Sequence, residues 1–166
     1  MQWPILHCPI FILTYRMKIQ LPDFTLEGIQ LETPTRNANG QSMQDCGKLW
    51  DRFMKESIAS RISDKFSETI YAVYFNYSGD HNDPYHYFIG CQVPEATKPD
   101  EGLSILNIPA TRYRRITAKG KMPDCVAQAW MNIWKSNMER GYIADFEVYD
   151  ERSKDWENAE VDIFLS

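Results

Sequence analysis

The pattern of apolar and polar positions predicts strands and two helices in a repeating order. Period-two alternation marks extended segments at residues 22–35, 68–77, 85–93, 103–117, 144–150 and 159–165. Apolar positions spaced by three and four mark two helices between them. The first stripe consists of Met43, Cys46, Leu49, Trp50, Phe53 and Met54, and the second of Val126, Trp130, Ile133, Trp134 and Met138. Pro123 suits the first turn of the second helix and Gly141 its end.

The element order, strand, helix, strand, strand, occurs twice. The two helices also open on similar sequences, Met-Gln-Asp-Cys at 43–46 and Met-Pro-Asp-Cys at 122–125. We therefore predict an α+β fold in which two pseudo-symmetric strand-helix-strand-strand repeats, about 24–93 and 103–166, form one antiparallel sheet. Two long helices would flank a ligand-binding groove between the halves.

The segment 145–150 shows the alternation most clearly. Phe146 and Val148 would point to one face of the strand, and Glu147 and Tyr149 to the other. A carboxylate beside a phenol suits a flat organic cation if that face lines a cavity. The alternative is a solvated glutamate on a half-exposed strand.

Composition and charge exclude some classes of protein. The net charge is −5, no run of five like charges occurs, and the aromatic fraction is 13% with nine Tyr and five Trp. We therefore expect no direct nucleic-acid binding, which needs a concentrated basic face. The four widely spaced cysteines predict reduced thiols in a cytoplasmic protein. Neither a zinc-type spacing nor a cofactor motif is present, so we expect no metal and no cofactor.

Residues 1–16 differ from the rest because they are apolar and carry no charge before Arg16. They lack the basic start of a secretory signal and are too short to span a bilayer, so no membrane association is expected. We interpret residues 1–16 as an extension and 17–166 as the domain, with Met17 as an alternative start. A second copy of the chain and a separate regulator protein stay open as partners.

Six segments in order, at 72–80, 85–90, 108–113, 129–134, 146–149 and 159–164, carry a family resemblance. Together they resemble the GyrI-like effector-binding domain of AraC-type and related multidrug-responsive bacterial regulators. The resemblance covers about residues 24–166. Family regulators also carry a DNA-binding helical module, for which this chain has no further helices. The chain is thus similar to a stand-alone effector-binding protein of the kind found in integron (mobile gene) cassettes.

The resemblance implies an aromatic-lined cavity in which a buried glutamate neutralises lipophilic, cationic compounds. Glu147 matches that position best and Glu160 is the second choice. Strand alternation places Tyr74, Tyr149 and Phe164 on the same face as Glu147, whereas Tyr77 and Tyr87 are weaker candidates. Trp50 and Trp130 complete the predicted ligand-binding set, although tryptophans in helix stripes are more often core residues.

Two other functions stay open at this point. Some members of the domain family are hydrolases of strained electrophilic compounds, and here Glu147 and Glu160 would act as base and orienting group. We do not expect an enzyme, because no arrangement of nucleophile, histidine and acid is visible. The second alternative is a gyrase-inhibitor-like module that binds a protein partner.

Overall fold

The computed structural model describes residues 18–166, and the predicted extension at 1–16, Cys8 and Met17 lie outside this part of the chain. Eight strands are present in it: β1 Ile19–Leu21, β2 Phe24–Gln30, β3 Ile70–Phe75, β4 His86–Val93, β5 Ser104–Ile108, β6 Thr111–Gly120, β7 Ala144–Tyr149 and β8 Ala159–Leu165. The helices are α1 Gln41–Lys55, α2 Ile58–Arg61 and α3 Asp124–Lys135, with one 3-10 turn at Glu151–Ser153. None of these helices is long and apolar enough to cross a membrane.

All eight strands form one antiparallel sheet, which confirms the predicted α+β class. The strand order is β1-β6-β8-β7-β3-β4-β2-β5. Three strands of the second predicted half, β6-β8-β7, lie beside three strands of the first half, β3-β4-β2, and they meet where β3 pairs with β7. The fourth strand of the second half, β5, pairs with β2 at the far edge. The pseudo-symmetry of the two halves stays a prediction.

Two bends curl the sheet. Pro22 and Asp23 separate β1 from β2, while Pro109 and Ala110 separate β5 from β6. Because β1 pairs with β6 and β2 pairs with β5, each bent segment contributes to both ends of the sheet. Proline lacks a backbone N–H and therefore interrupts the hydrogen-bond ladder at a bend. The sequence predicts one extended segment at 103–117 with Pro109 as its bend, and the structure divides it there into two strands.

The curl gives the sheet two different apolar faces. One face encloses an aromatic cluster, in which Phe146 is buried and stacks on Phe164 with ring centroids 4.9 Å apart. The other face carries the helices. Leu49 and Phe53 of α1 pack over β2 and β4, and α3 packs over β6 and β8. Strand β7 is therefore covered on both faces, and it is not the half-exposed strand of the alternative interpretation.

The predicted helix stripes need two corrections. Met43 and Met54 are 78% and 62% exposed, so the buried side of α1 is narrower than its apolar pattern. Helix α3 ends at Lys135, six residues before Gly141, because residue 136 is already extended. Met138 still packs on the α3 cluster, but from the segment that follows the helix.

Candidate functional site

Glu147 lies in the middle of β7, at the centre of the sheet. Its neighbours across the two strand pairings are Ala72 and Ile163, and its side chain points to the face that carries the helices. Only 2% of the residue is exposed. A carboxylate in this position loses nearly all contact with water, which strongly disfavours its charged form unless other groups compensate.

Three side chains donate hydrogen bonds to Glu147. The Tyr74 hydroxyl reaches Oε1 at 2.8 Å and the Trp130 indole N–H reaches the same oxygen at 2.6 Å. The Tyr149 hydroxyl reaches Oε2 at 2.5 Å. These donors come from β3, α3 and β7, so the fold brings together groups that are up to 75 positions apart in sequence.

Burial raises the pKa of Glu147 above its ordinary value, and the hydrogen bonds from Tyr149, Trp130 and Tyr74 oppose that rise. Burial, followed by the charge of Glu147, holds the pKa values of both tyrosines well above their usual range. The phenols therefore stay protonated and keep donating. Because all three donors are neutral, their hydrogen bonds stabilise the carboxylate, but within residues 18–166 no cationic side chain pairs with it.

Aromatic rings surround this carboxylate. Tyr74 packs on Trp130 and on Tyr87, with ring centroids 4.9 Å apart in both cases, and Trp50 lies 5.1 Å from Tyr149. Tyr74 and Tyr149 pack against the apolar cluster beneath α1 and also against the one beneath α3, so they lie between the two clusters. Tyr74, Tyr149 and Trp50 remain partly exposed, so solvent reaches the edge of the aromatic cluster around Glu147.

Asp145, two residues before Glu147, is a second buried carboxylate. It differs because Arg140 pairs with it and Tyr77 donates to it at 2.7 Å. The backbone N–H of Ser166 donates to its other oxygen at 2.8 Å. The Asp145 side chain is 0% exposed and that of Arg140 only 3% exposed. The charge of Asp145 is therefore balanced within the protein.

The structure brings together five of the seven predicted site residues: Glu147, Tyr149, Tyr74, Trp50 and Trp130. Phe164 was wrongly placed, because it lies opposite Phe146 across the β7–β8 pairing and hence on the other face of the sheet. Glu160 shares the side of β8 that carries Phe164. It pairs with Lys119 at 2.8 Å and Arg152 at 3.8 Å, so Glu147 is the buried member of the two candidates.

Sequence reasoning underrated Tyr87 and missed Cys46. Tyr87 is the direct cross-strand partner of Tyr74, and its hydroxyl accepts the Trp50 indole N–H at 2.9 Å. The sequence predicts the hairpin that contains Tyr74 and Tyr87, but the long loop between its strands leaves their register undefined. Burial and, next, the nearby Glu147 charge raise the pKa of the Cys46 thiol to about 12, which makes it a poor nucleophile.

Two open clefts lie elsewhere on the described surface. One, of about 500 Å³, is lined by residues that include Lys18, Arg112 and Arg140, and another, of about 460 Å³, by residues from 34–41 and Pro84. Neither contains Glu147. Within residues 18–166, no three histidine, cysteine or acidic side chains are grouped to hold a metal ion.

Comparisons with known proteins identify what this arrangement is similar to. The model of the Cass2 family, described as integron-associated effector binding protein, matches residues 19–166. An integron cassette protein from the mobile metagenome of Vibrio cholerae, VCH_CASS2, shares 23% identity and a TM-score of 0.66, over 90% of this chain and 95% of that one. SAV2435, solved bound to tetraphenylphosphonium, shares 18% identity and a TM-score of 0.70, over 90% and 91%.

A curated relative extends the comparison to transcriptional regulators. The transcriptional regulator BrlR of Pseudomonas aeruginosa is 28% identical over 156 residues, which are 89% of this chain. They are only 53% of BrlR, so the chain spans about half the length of that relative. The two solved structures fall below 25% identity and therefore establish the shared fold.

Proposed function

The chain belongs to the family of integron-associated effector binding proteins, and from this premise we propose that it binds lipophilic organic cations in the groove between α1 and α3. Glu147 supplies the opposite charge, and Tyr74, Tyr149, Tyr87, Trp50 and Trp130 supply the aromatic surface. One observation carries the proposal: among the described residues, the buried carboxylate of Glu147 is held by neutral donors alone.

The electrostatics favour a cation over a neutral compound. An empty site leaves the carboxylate with a desolvation cost that its three hydrogen bonds offset only in part. A positive charge near Glu147 removes this cost and also interacts with the faces of aromatic rings, at about 0.5–2 kcal/mol for each favourable contact. A neutral ligand of the same shape gains only the apolar contact.

Lipophilic cations fit the lining better than small hydrated ones. Large rings with few polar atoms surround Glu147, so a metal ion or a small ammonium would lose its water shell without gaining ligands in return. A cation whose charge is spread beneath phenyl groups keeps little water and offers apolar area. Tetraphenylphosphonium, the ligand in the SAV2435 structure, is of this kind.

The Glu147→Gln variant tests the proposal, because glutamine keeps the shape and the acceptor oxygen but removes the charge. We expect it to bind tetraphenylphosphonium more weakly by roughly 1–3 kcal/mol, the range for one charge-assisted contact. Triphenylphosphine oxide, a neutral analogue, should bind both proteins alike. Titration followed by tryptophan fluorescence quenching measures both ligands, since Trp50 and Trp130 pack on the tyrosines that donate to Glu147.

Glu160→Gln is the matched control, since it removes one carboxylate from a partly exposed position on the other side of the sheet. It should leave both affinities unchanged. Equal losses for the cation and the neutral compound in Glu147→Gln would rule out the charge role. Equal losses in both variants would show a general effect of net charge.

The hydrolase alternative is not favoured by this geometry. It requires Glu147 and Glu160 to act on one substrate as base and orienting group. Glu147 faces the helices, whereas Glu160 is held by Lys119 and Arg152. The two carboxylates therefore do not share a site.

A further inference from the structure

We propose that Asp145 and Arg140, here called the charge pair, make the groove selective for compounds that carry one positive charge rather than two. This inference rests on the proposed function, because it concerns the ligands of the same groove. It assigns a specificity role to two residues that lie beside Glu147 and do not contact its carboxylate.

The two carboxylates belong to one strand face. Asp145 and Glu147 are two positions apart on β7, so their side chains point to the same side of the sheet, about 7 Å apart along the strand. Both are almost completely buried. If neither were balanced, the groove would present two negative charges at close range and would attract a dication.

Arg140 prevents this for Asp145. Its Nη2 atom binds Oδ2 of Asp145, and the guanidinium carbon lies 4.4 Å from the ring centre of Tyr142. The same carbon lies 5.7 Å from the ring centre of Trp130. Within residues 18–166, Nε and Nη1 are buried without a hydrogen-bond partner, and the guanidinium group lies over two aromatic rings.

Trp130 connects the charge pair to the ligand site. One face of its ring is near Arg140, and its N–H donates to Glu147. The cation of Arg140 is therefore close to the groove, yet it compensates Asp145 and leaves Glu147 with neutral donors. The sum over Asp145, Arg140 and ionised Glu147 is one negative charge, which one positive charge on a ligand neutralises.

Two single variants change this sum, and a double variant restores it. Arg140→Gln leaves Asp145 unbalanced and raises the sum to two negative charges. Asp145→Asn leaves Arg140 unbalanced and reduces the sum to zero. The double variant removes both charges and returns the sum to one negative charge, that of Glu147. The probes are tetraphenylphosphonium and a dication of two triphenylphosphonium groups joined by a short alkyl chain.

We expect Arg140→Gln to shift the affinity ratio of dication to monocation by about tenfold towards the dication. Asp145→Asn should weaken both cations, by about tenfold for the monocation, because an unpaired guanidinium then repels them. The double variant should bind the monocation more tightly than Asp145→Asn and lose the dication preference of Arg140→Gln. Lys119→Gln, at an exposed position, controls for net charge and should change no ratio.

The outcomes separate charge selection from a structural role. If the pair only supports the fold, all three variants lose affinity for both cations and the ratio stays that of the wild type, which would overturn the inference. Thermal unfolding of each variant, followed by circular dichroism, identifies the folded fraction used in the titrations. If Arg140→Gln does not fold, the comparison of Asp145→Asn with the double variant decides alone. If Glu147→Gln loses cation binding while the ratio of dication to monocation affinity is the same in the charge-pair variants as in the wild type, this inference is refuted and the proposed function stands.

Discussion

The indole N–H of Trp130 donates to Oε1 of Glu147 across 2.6 Å, and this bond ties helix α3 to the centre of the sheet. The same ring packs against Tyr74, which donates to the same oxygen. The Trp130 side chain therefore packs against the aromatic cluster and also stabilises the charge of Glu147. A substitution at Trp130 that keeps an aromatic ring should therefore change the ionisation of Glu147 more than the shape of the site.

Trp130→Phe should shift cation binding to higher pH. The substitution removes one of the donors that lower the pKa of Glu147 and keeps an aromatic ring, so the pKa should rise further. We expect a stability loss of about 1–2 kcal/mol from the lost bond and the smaller ring. Calorimetric titrations with tetraphenylphosphonium at several pH values between 5 and 9 measure the shift in the pH dependence of binding.

Trp50→Phe is the matched control for that experiment. It also removes an indole N–H, but one that donates to Tyr87 rather than to Glu147. Its pH profile should therefore stay close to that of the wild type. If both variants shift the profile equally, the bond between Trp130 and Glu147 does not control the ionisation.

The wild-type protein should bind lipophilic cations more tightly as the pH rises through the raised pKa of Glu147. Burial favours the protonated form, and the protonated form offers no charge to the ligand. Below the ordinary pKa of a glutamic acid, the affinity should approach that of Glu147→Gln. Competition titrations over the pH range measure this convergence, and a flat wild-type profile would contradict it.

The order of the elements could be predicted from the sequence because each depends on local periodicity. The alternation at residues 145–150 correctly placed Phe146 and Glu147 on opposite faces. It could not indicate that both faces are buried, because that depends on the curl of the sheet and on the helices. Local pattern sets the direction of a side chain, and only the tertiary structure decides what it meets.

Strand register explains the errors in the site. Residues 161, 163, 164 and 165 are all apolar, so the last strand has no clear polar face, and Phe164 could be assigned to either side. The pairing of Phe164 with Phe146 decides the question in the structure. Tyr87 was underrated for a related reason, since the long hairpin loop allows several registers. Arg140 follows helix α3 in a segment without periodicity, so the sequence offered no signal for the charge pair.

Phe164→Ala should reduce stability without changing ligand preference. Phe164 packs on Phe146 and Tyr113 at the face away from the helices, with ring centroids 4.9 and 6.4 Å away. Because Phe164 is half-buried, we expect a loss of about 2 kcal/mol, below the range for a fully buried ring. Urea unfolding measures the loss. The ratio of tetraphenylphosphonium to triphenylphosphine oxide affinities should stay unchanged, and a changed ratio would place Phe164 in the ligand site after all.

Glu27 supports a prediction about stability that does not involve the groove. This residue of β2 is completely buried, and Oε1 accepts the backbone N–H of Asp100 at 2.6 Å. Within the described residues, Oε2 is buried without a hydrogen-bond partner. Burial raises the pKa of Glu27, the Asp100 N–H opposes the rise, and the charges of Asp100 and Asp64 add to it.

The pH dependence follows from proton binding. Since the pKa of Glu27 is higher in the folded state, the folded protein holds more protons than the unfolded chain between the ordinary and the raised value. The contribution of Glu27 to stability is therefore complete below the ordinary pKa and is lost as the pH rises through the folded value. Glu27→Gln keeps an acceptor for Asp100 and cannot ionise, so it should lack this loss.

We expect Glu27→Gln to be more stable than the wild type at pH 8, by about 1 kcal/mol, because glutamine avoids the cost of a buried negative charge. At pH 4 the advantage should disappear, because both side chains are then uncharged. Urea unfolding at the two pH values measures the difference, and Glu147 contributes equally to both proteins. Glu32→Gln makes the same change of charge at an exposed position and controls for net charge. A destabilised Glu27→Gln at pH 8 would mean that the ionised carboxylate has a favourable partner, and the raised pKa would then be wrong.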